Sequence, residues 1–294
     1  MADPAFQRLQ LGLLLALPSP VLRALSGGGV VYKGGRTLDP RLQFLASQSQ
    51  GAPPLSSLTP EQARGGVAAM VQVMGGKIEP RVTVEVLTVP GAEAAIEARA
   101  YRPDDQDAAA PLMVFAHFGG GVVGNLDTCE AFCSILASVA RCAVLSVGYR
   151  LAPEFRFPDG LEDMLAACRW ARDTGERFGA PAGKIAVGGD SMGGNFAAVV
   201  CQEMKRLGEA QPAMQLLIYP ALDVAAEVAL HVGVPMVDPA DDRELPREPV
   251  RRVELERVVG AVHADRAERP TVHPGFRHLD QNRLGADRLA GVHQ

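Results

Sequence analysis

Lysine is close to absent from this chain: Lys33, Lys77, Lys184 and Lys205 are the four it has among 294 residues, beside 25 arginines. That imbalance reads as GC-rich coding more than a chemical requirement. The formal net charge of −5 and a pI near 5.7 argue against a nucleic-acid partner. Cysteine is sparse as well, and Cys129, Cys133, Cys142, Cys168 and Cys201 fit no zinc-ligand spacing. They read as buried free thiols in a reducing compartment, so a cytoplasmic location and no metal held by these cysteines are expected. Residues 9–17 are apolar but interrupted by Gln10 and stopped by Pro18, too short to span a bilayer, and stable membrane insertion is not expected. Asp3 ahead of a lone Arg8, with no small-x-small site following, makes a poor export signal. The stretch reads as an amphipathic lid helix, and export is the weaker alternative.

What the chain does have is glycine in particular places. Gly189-Asp190-Ser191-Met192-Gly193 follows the apolar strand Ile185-Ala186-Val187 and precedes a helical stretch. A G-x-S-x-G at a strand-to-helix junction reads as a nucleophile elbow, a sharp turn that lifts a serine hydroxyl above a sheet edge. Its glycines are required because Cβ atoms beside the bend would strike strand and helix. Upstream, His117-Phe118-Gly119-Gly120-Gly121-Val122-Val123-Gly124 follows the buried-looking strand 112–116. A glycine-rich loop in that place lets backbone N–H groups approach a developing alkoxide. No lysine-terminated P-loop is present, so a phosphate cradle is the lesser reading.

Period-two alternation from Val82 to Leu87 and from Ile96 to Tyr101, around the turn at Pro90-Gly91, predicts an antiparallel pair. Strand and helix then alternate through residue 219 with short connections, which predicts a mainly parallel sheet wrapped by helices. Residues 1–80 read as a loose helical cap, 81–223 as the α/β core, and 224–294 as an atypical, irregular or incomplete segment. Thr59-Pro60-Glu61-Gln62 carries the N-cap, first-turn proline and capping-box glutamine of a helix start.

Two further segments, Tyr149-Arg150-Leu151-Ala152-Pro153-Glu154 and Leu216-Leu217-Ile218-Tyr219-Pro220, complete an ordered set. Together with the loop and the elbow they resemble the hormone-sensitive-lipase-like branch of the α/β-hydrolases, bacterial carboxylesterases especially, over residues 38–223. The resemblance implies an α/β-hydrolase fold and hydrolysis of short-to-medium acyl esters by a serine acyl-enzyme, the partner being a small-molecule ester and no metal or cofactor being required. It implies Ser191 as nucleophile, the amides of Gly119, Gly120 and Met192 as oxyanion hole, and His117 as support for the loop. Two departures stand out: Phe118 occupies the family's first glycine, and Met192 replaces its usual alanine. Arg150 and Glu154 are expected as a structural ion pair beneath the loop, and Asp190 is expected to turn its side chain from the scissile bond.

Beyond Asp223 the pattern breaks. The last 71 residues hold ten arginines, no lysine and five of the six histidines, with no strand of β-branched residues after Val234. On one reading Asp238, in Asp238-Pro239-Ala240-Asp241-Asp242, and His273, before Pro274-Gly275-Phe276, resemble the family's catalytic acid and base, a piece before Asp238 being missing. On the other, the tail is frame-shifted or diverged. The second is favoured because the tail contradicts the fold it should complete. A non-catalytic ligand-binding homologue, like the plant gibberellin receptors that resemble this family, or an inactive product lacking its histidine, are the alternatives to an esterase.

Overall fold

Short polar caps set where the N-terminal helices begin. The computed structural model describes residues 3–54 and 57–222, so Asp238, His273 and all of 224–294 lie outside the described residues. Helix α1 (Pro4–Leu15) starts with Asp3 accepting the Ala5 N–H, and α2 (Ser19–Leu25) follows Pro18. Strands β1 (Tyr32–Lys33) and β2 (Arg36–Thr37) make a small hairpin about Gly34-Gly35, which the expectation of helices and loose turns did not include. Helix α3 (Pro40–Gln48) is capped by Asp39. Helix α4 (Pro60–Met74) opens on the capping box foreseen at Thr59 and Gln62: each side chain bonds the other's backbone N–H, at 2.9 and 3.3 Å.

The alternating stretch forms β3 (Val82–Pro90) and β4 (Ala95–Pro103), antiparallel with Val82 opposite Pro103 and Pro90 opposite Ala95. Next come β5 (Leu112–Ala116), α5 (Glu130–Ala140), β6 (Val144–Val147), α6 (Asp159–Thr174), β7 (Ile185–Asp190), α7 (Met192–Arg206) and β8 (Gln215–Ile218). The six strands lie in the order β3-β4-β6-β5-β7-β8. The pairs β5–β6, β5–β7 and β7–β8 are parallel, while β4 meets β6 antiparallel. This is a mixed, mostly parallel sheet flanked by helices, an α/β-hydrolase fold.

Period-two geometry sorts each strand's side chains onto opposite faces. Leu112, Val114, Ala116, Leu145, Val147, Ile185 and Val187 join one core with α6 and α7. Met113, Phe115, Val144 and Ala186 join the other, with Cys129, Cys133 and Ala137 at α5. Strands β5, β6 and β7 are buried on both faces, which explains their continuous apolar runs. Ala116 is level with Val147 on one side and Gly189 on the other. The loops that leave β5, β6 and β7 therefore emerge side by side at the carboxyl edge, where the chain switches direction across the sheet and α/β proteins place their ligands. No helix among the described residues is long and apolar enough to cross a membrane.

One buried carboxylate ties three segments together. Asp163, fully enclosed in α6, accepts the Ala92 N–H at 3.0 Å, the Arg150 N–H at 3.1 Å and the Arg150 Nε–H at 2.8 Å. Removing it would leave a buried guanidinium and two amides without their acceptor. Asp163→Ala is expected to destabilise the fold by about 3–5 kcal/mol, read by urea unfolding. A loss under ~1 kcal/mol would show that water or a neighbouring group takes over.

Candidate active site

Ser191 sits between β7 and α7 at φ 53° and ψ −114°, a left-handed backbone that non-glycine residues rarely adopt. The bend is clamped by its backbone: the Ser191 N–H donates to Ile218 O at 3.0 Å, and Ser191 O accepts from Asn195 and Ala221 at 3.1 and 3.2 Å. A Cβ on Gly193 would run into the Ala116 carbonyl, and one on Gly189 into the Gly193 backbone. The glycines are thus demanded by close approach of helix to strands, the reason inferred from the pentapeptide. Ser191 is partly exposed, and its hydroxyl makes no hydrogen bond among the described residues and does not cap α7. An ordinary turn serine would spend its hydroxyl on local backbone. Here the hydroxyl has no partner among the described residues and stands at the positive end of a 15-residue helix whose first N–H groups have no partner within the helix.

The neighbouring loop reverses sharply after β5. Gly119 has φ 128° and its carbonyl takes the N–H groups of Val122 and Val123, both at 3.0 Å. The N–H groups of Gly119 and Gly120 donate no hydrogen bond among the described residues, which leaves two donors open beside the elbow. Residues 119–124 also spell G-x-G-x-x-G, and the structure argues against a dinucleotide cradle. The glycines lead into a 3-10 turn at Leu126–Cys129 instead of opening a helix over a pyrophosphate.

His117 lies under this loop, 1% exposed. Its Nδ1 is 2.7 Å from Phe118 O, a pure acceptor, so the neutral ring carries its proton on Nδ1. The ring stacks on Tyr149 at 4.3 Å, and the Tyr149 hydroxyl donates to His117 O at 2.8 Å. Burial pushes the His117 pKa down to about 4. The loop's histidine is therefore neutral and packed into the scaffold. Asp190 turns aside, as expected: its Oδ2 accepts the Tyr219 hydroxyl at 2.7 Å, and burial raises its pKa. Met192 packs its side chain against the core on the α6–α7 face of the sheet.

Arg150 and Glu154 do not pair with each other, contrary to expectation. Arg150 turns inward to Asp163 at 2.8 Å and also meets Glu93 at 3.4 Å, whereas Glu154 takes Arg64 of α4 at 2.7 Å. The two lie four apart in a loop, not a helix, so sequence proximity did not bring their heads together. Arg64 is the residue the motifs gave no hint of. A cavity of about 490 Å³ opens at the seam of α4 and the core, walled by Arg64, Val67, Asn125, Leu151 and Phe155. Ser191 is not among its walls. All five cysteines are free and buried, and no cluster of three metal-ligating side chains occurs among the described residues.

Because His117 is neutral when folded and titrates freely when unfolded, the unfolded chain binds the extra proton between pH 6.5 and about 4. Stability is expected to fall across that window as pH is lowered, by roughly 3 kcal/mol from this residue. Urea unfolding at stepped pH should show the slope, and His117→Gln should flatten it; an equal slope in both would assign it elsewhere.

Comparison with known proteins agrees with this geometry. The model of a family described as alpha/beta hydrolase fold matches residues 113–286, a span that takes in Ser191 and runs on past Asp238 and His273. The chain is 42% identical over 221 residues to carboxylic ester hydrolase LipN of Mycobacterium tuberculosis, covering 72% of this chain and 58% of that protein. An alpha/beta hydrolase enzyme from the metagenome of Lake Arreo, Spain, superposes with a TM-score of 0.56 at 41% identity, over 60% of this chain and 56% of that one. An ester-hydrolase from the same metagenome, complexed with a bipyridine phosphonate derivative, gives 0.57 at 38% identity, over 70% and 60%. The chain spans little more than half the length of each of these relatives. By its matched family, its sheet order and its elbow, the chain belongs to the alpha/beta hydrolases, in the hormone-sensitive-lipase-like branch.

Proposed function

We propose that this protein is a carboxylic ester hydrolase working on short-to-medium acyl esters through a serine acyl-enzyme. The observation that carries the reading is Ser191 itself: a partly exposed residue at positive φ on the N-terminus of α7, whose hydroxyl has no hydrogen-bond partner among the described residues. Ser191 Oγ attacks the ester carbonyl and passes its proton to a general base. The carbonyl oxygen becomes an oxyanion that accepts the N–H groups of Gly119, Gly120 and Met192. Each such donor is worth about 3–4 kcal/mol of barrier, because it is aimed before charge develops. Collapse expels the alcohol with that proton and leaves the acyl group on Ser191. Water then attacks the acyl-enzyme, the acid departs and the serine is restored.

His117 cannot be that base: it is buried, and its Nδ1 proton is engaged by Phe118 O. We assign the role to His273 and its orientation to Asp238, in the order Ser, Asp, His that α/β-hydrolases follow along the chain. Support comes from the family match, which extends through both positions. The relatives' names, LipN as a carboxylic ester hydrolase and a Pseudomonas putida protein as ethyl acetate hydrolase, support the substrate class. The five free thiols support a reducing, cytoplasmic setting.

Hydrolysis of p-nitrophenyl acetate and butyrate by the full chain tests this. Ser191→Ala is expected to abolish turnover, by roughly 10³-fold or more, and His273→Ala to do nearly the same. Turnover unchanged in Ser191→Ala removes the serine from the mechanism. Saturable ester binding without turnover in the wild type would instead favour a ligand-binding role.

A further inference from the structure

We infer that Arg64, on the N-terminal helix α4, is a positioning residue that holds the oxyanion loop in its working shape; this rests on the ester-hydrolase reading above. The loop has little of its own to hold it. Gly119, Gly120, Gly121 and Gly124 all have positive φ, and nothing lies within 4 Å of where a side chain on Gly120 or Gly121 would begin. A run of glycines is entropically costly to order and contributes no side-chain packing. Its shape must come from bonds to its backbone.

Arg64 supplies them from 58 residues away in sequence. Its Nε–H donates to Val122 O at 2.9 Å, and its Nη2 donates to Ala152 O at 2.8 Å. Glu154 closes the fork, accepting from Nη1 at 2.9 Å and from Nη2 at 2.7 Å. Ala152 in turn donates its N–H to Gly121 O at 2.8 Å. One planar guanidinium therefore grips the loop directly at Val122 and indirectly at Gly121, through the segment that follows β6. Gly119, whose N–H has no partner among the described residues, is bonded through its carbonyl to Val122 and Val123. A shift of Val122 is thus transmitted to the donor amides by a single hydrogen bond.

The ion pair is not the important part. Arg64 and Glu154 side chains are 30% and 48% exposed, and solvent screens such surface pairs so that they contribute little to stability. The bonds to the two carbonyls carry the geometry, and they need the directed fork of arginine. A lysine ammonium would keep the charge but reach only one or two of the three acceptors.

The test compares Arg64→Met, Arg64→Lys and Glu154→Gln with the wild-type chain, by p-nitrophenyl butyrate kinetics and by amide hydrogen exchange of the 117–124 peptide. Arg64→Met is expected to lower kcat between ~10- and ~100-fold with KM changed less than about threefold, because misplaced amides lose the oxyanion more than the ester. Exchange across 117–124 should quicken in the same variant. Arg64→Lys should rescue neither, and Glu154→Gln should change kcat less than about threefold. Unchanged exchange in Arg64→Met overturns the clamp whether or not the wild type turns over ester. Faster exchange with unchanged kcat overturns its catalytic role. Should the wild type show no Ser191-dependent turnover, the ester-hydrolase reading falls, and the exchange arm still decides whether Arg64 holds the loop.

Discussion

The structure depends on how closely helix α7 lies against the carboxyl ends of β5 and β7. Gly193 touches the Ala116 carbonyl with no room for a Cβ, and Gly189 touches Gly193 in the same way. That contact forces the chain through Ser191 at positive φ, because no gentler turn joins a strand to a helix packed so near. It leaves a hydroxyl with no local partner, and it points the first N–H groups of α7 at the same edge of the sheet. Strain of about 1–3 kcal/mol is stored in one residue and offset by the two cores that sandwich the sheet.

Around this bend the polar groups divide into two kinds. Those beneath the loop are bonded or buried: His117 is neutral against Phe118 O and Tyr149, Asp190 accepts Tyr219, and Asp163 gathers Arg150 and Ala92. The amides of Gly119 and Gly120 and the Ser191 hydroxyl are without partners among the described residues. A bonded underside carrying unpartnered donors above it is how a site is held ready for charge that appears only during reaction.

Much of the fold was legible because its signals are local. Alternation in β3 and β4, continuous apolar runs in β5 to β7, and the capping box at Thr59 each follow from neighbours in sequence. The β1–β2 hairpin was missed because two-residue strands have no period to read. Ion-pair partners were missed for a different reason. Arg150 and Glu154 stand four apart, yet each found a partner supplied by a distant element, Asp163 of α6 and Arg64 of α4. Nothing in a linear pattern records which of several carboxylates a guanidinium will meet.

The amino-acid sequence by itself determined the kinds of chemistry available: a serine flanked by glycines, and a loop too rich in glycine to be a helix or strand. These are properties of residue type and spacing, and they hold wherever the chain goes. The tertiary structure alone decided that the serine's hydroxyl has no partner among the described residues, that His117 is sealed away as a neutral scaffold group, and that an arginine on an N-terminal helix bonds the glycine loop. Each of these depends on distance between segments far apart in the chain, which packing sets and composition cannot.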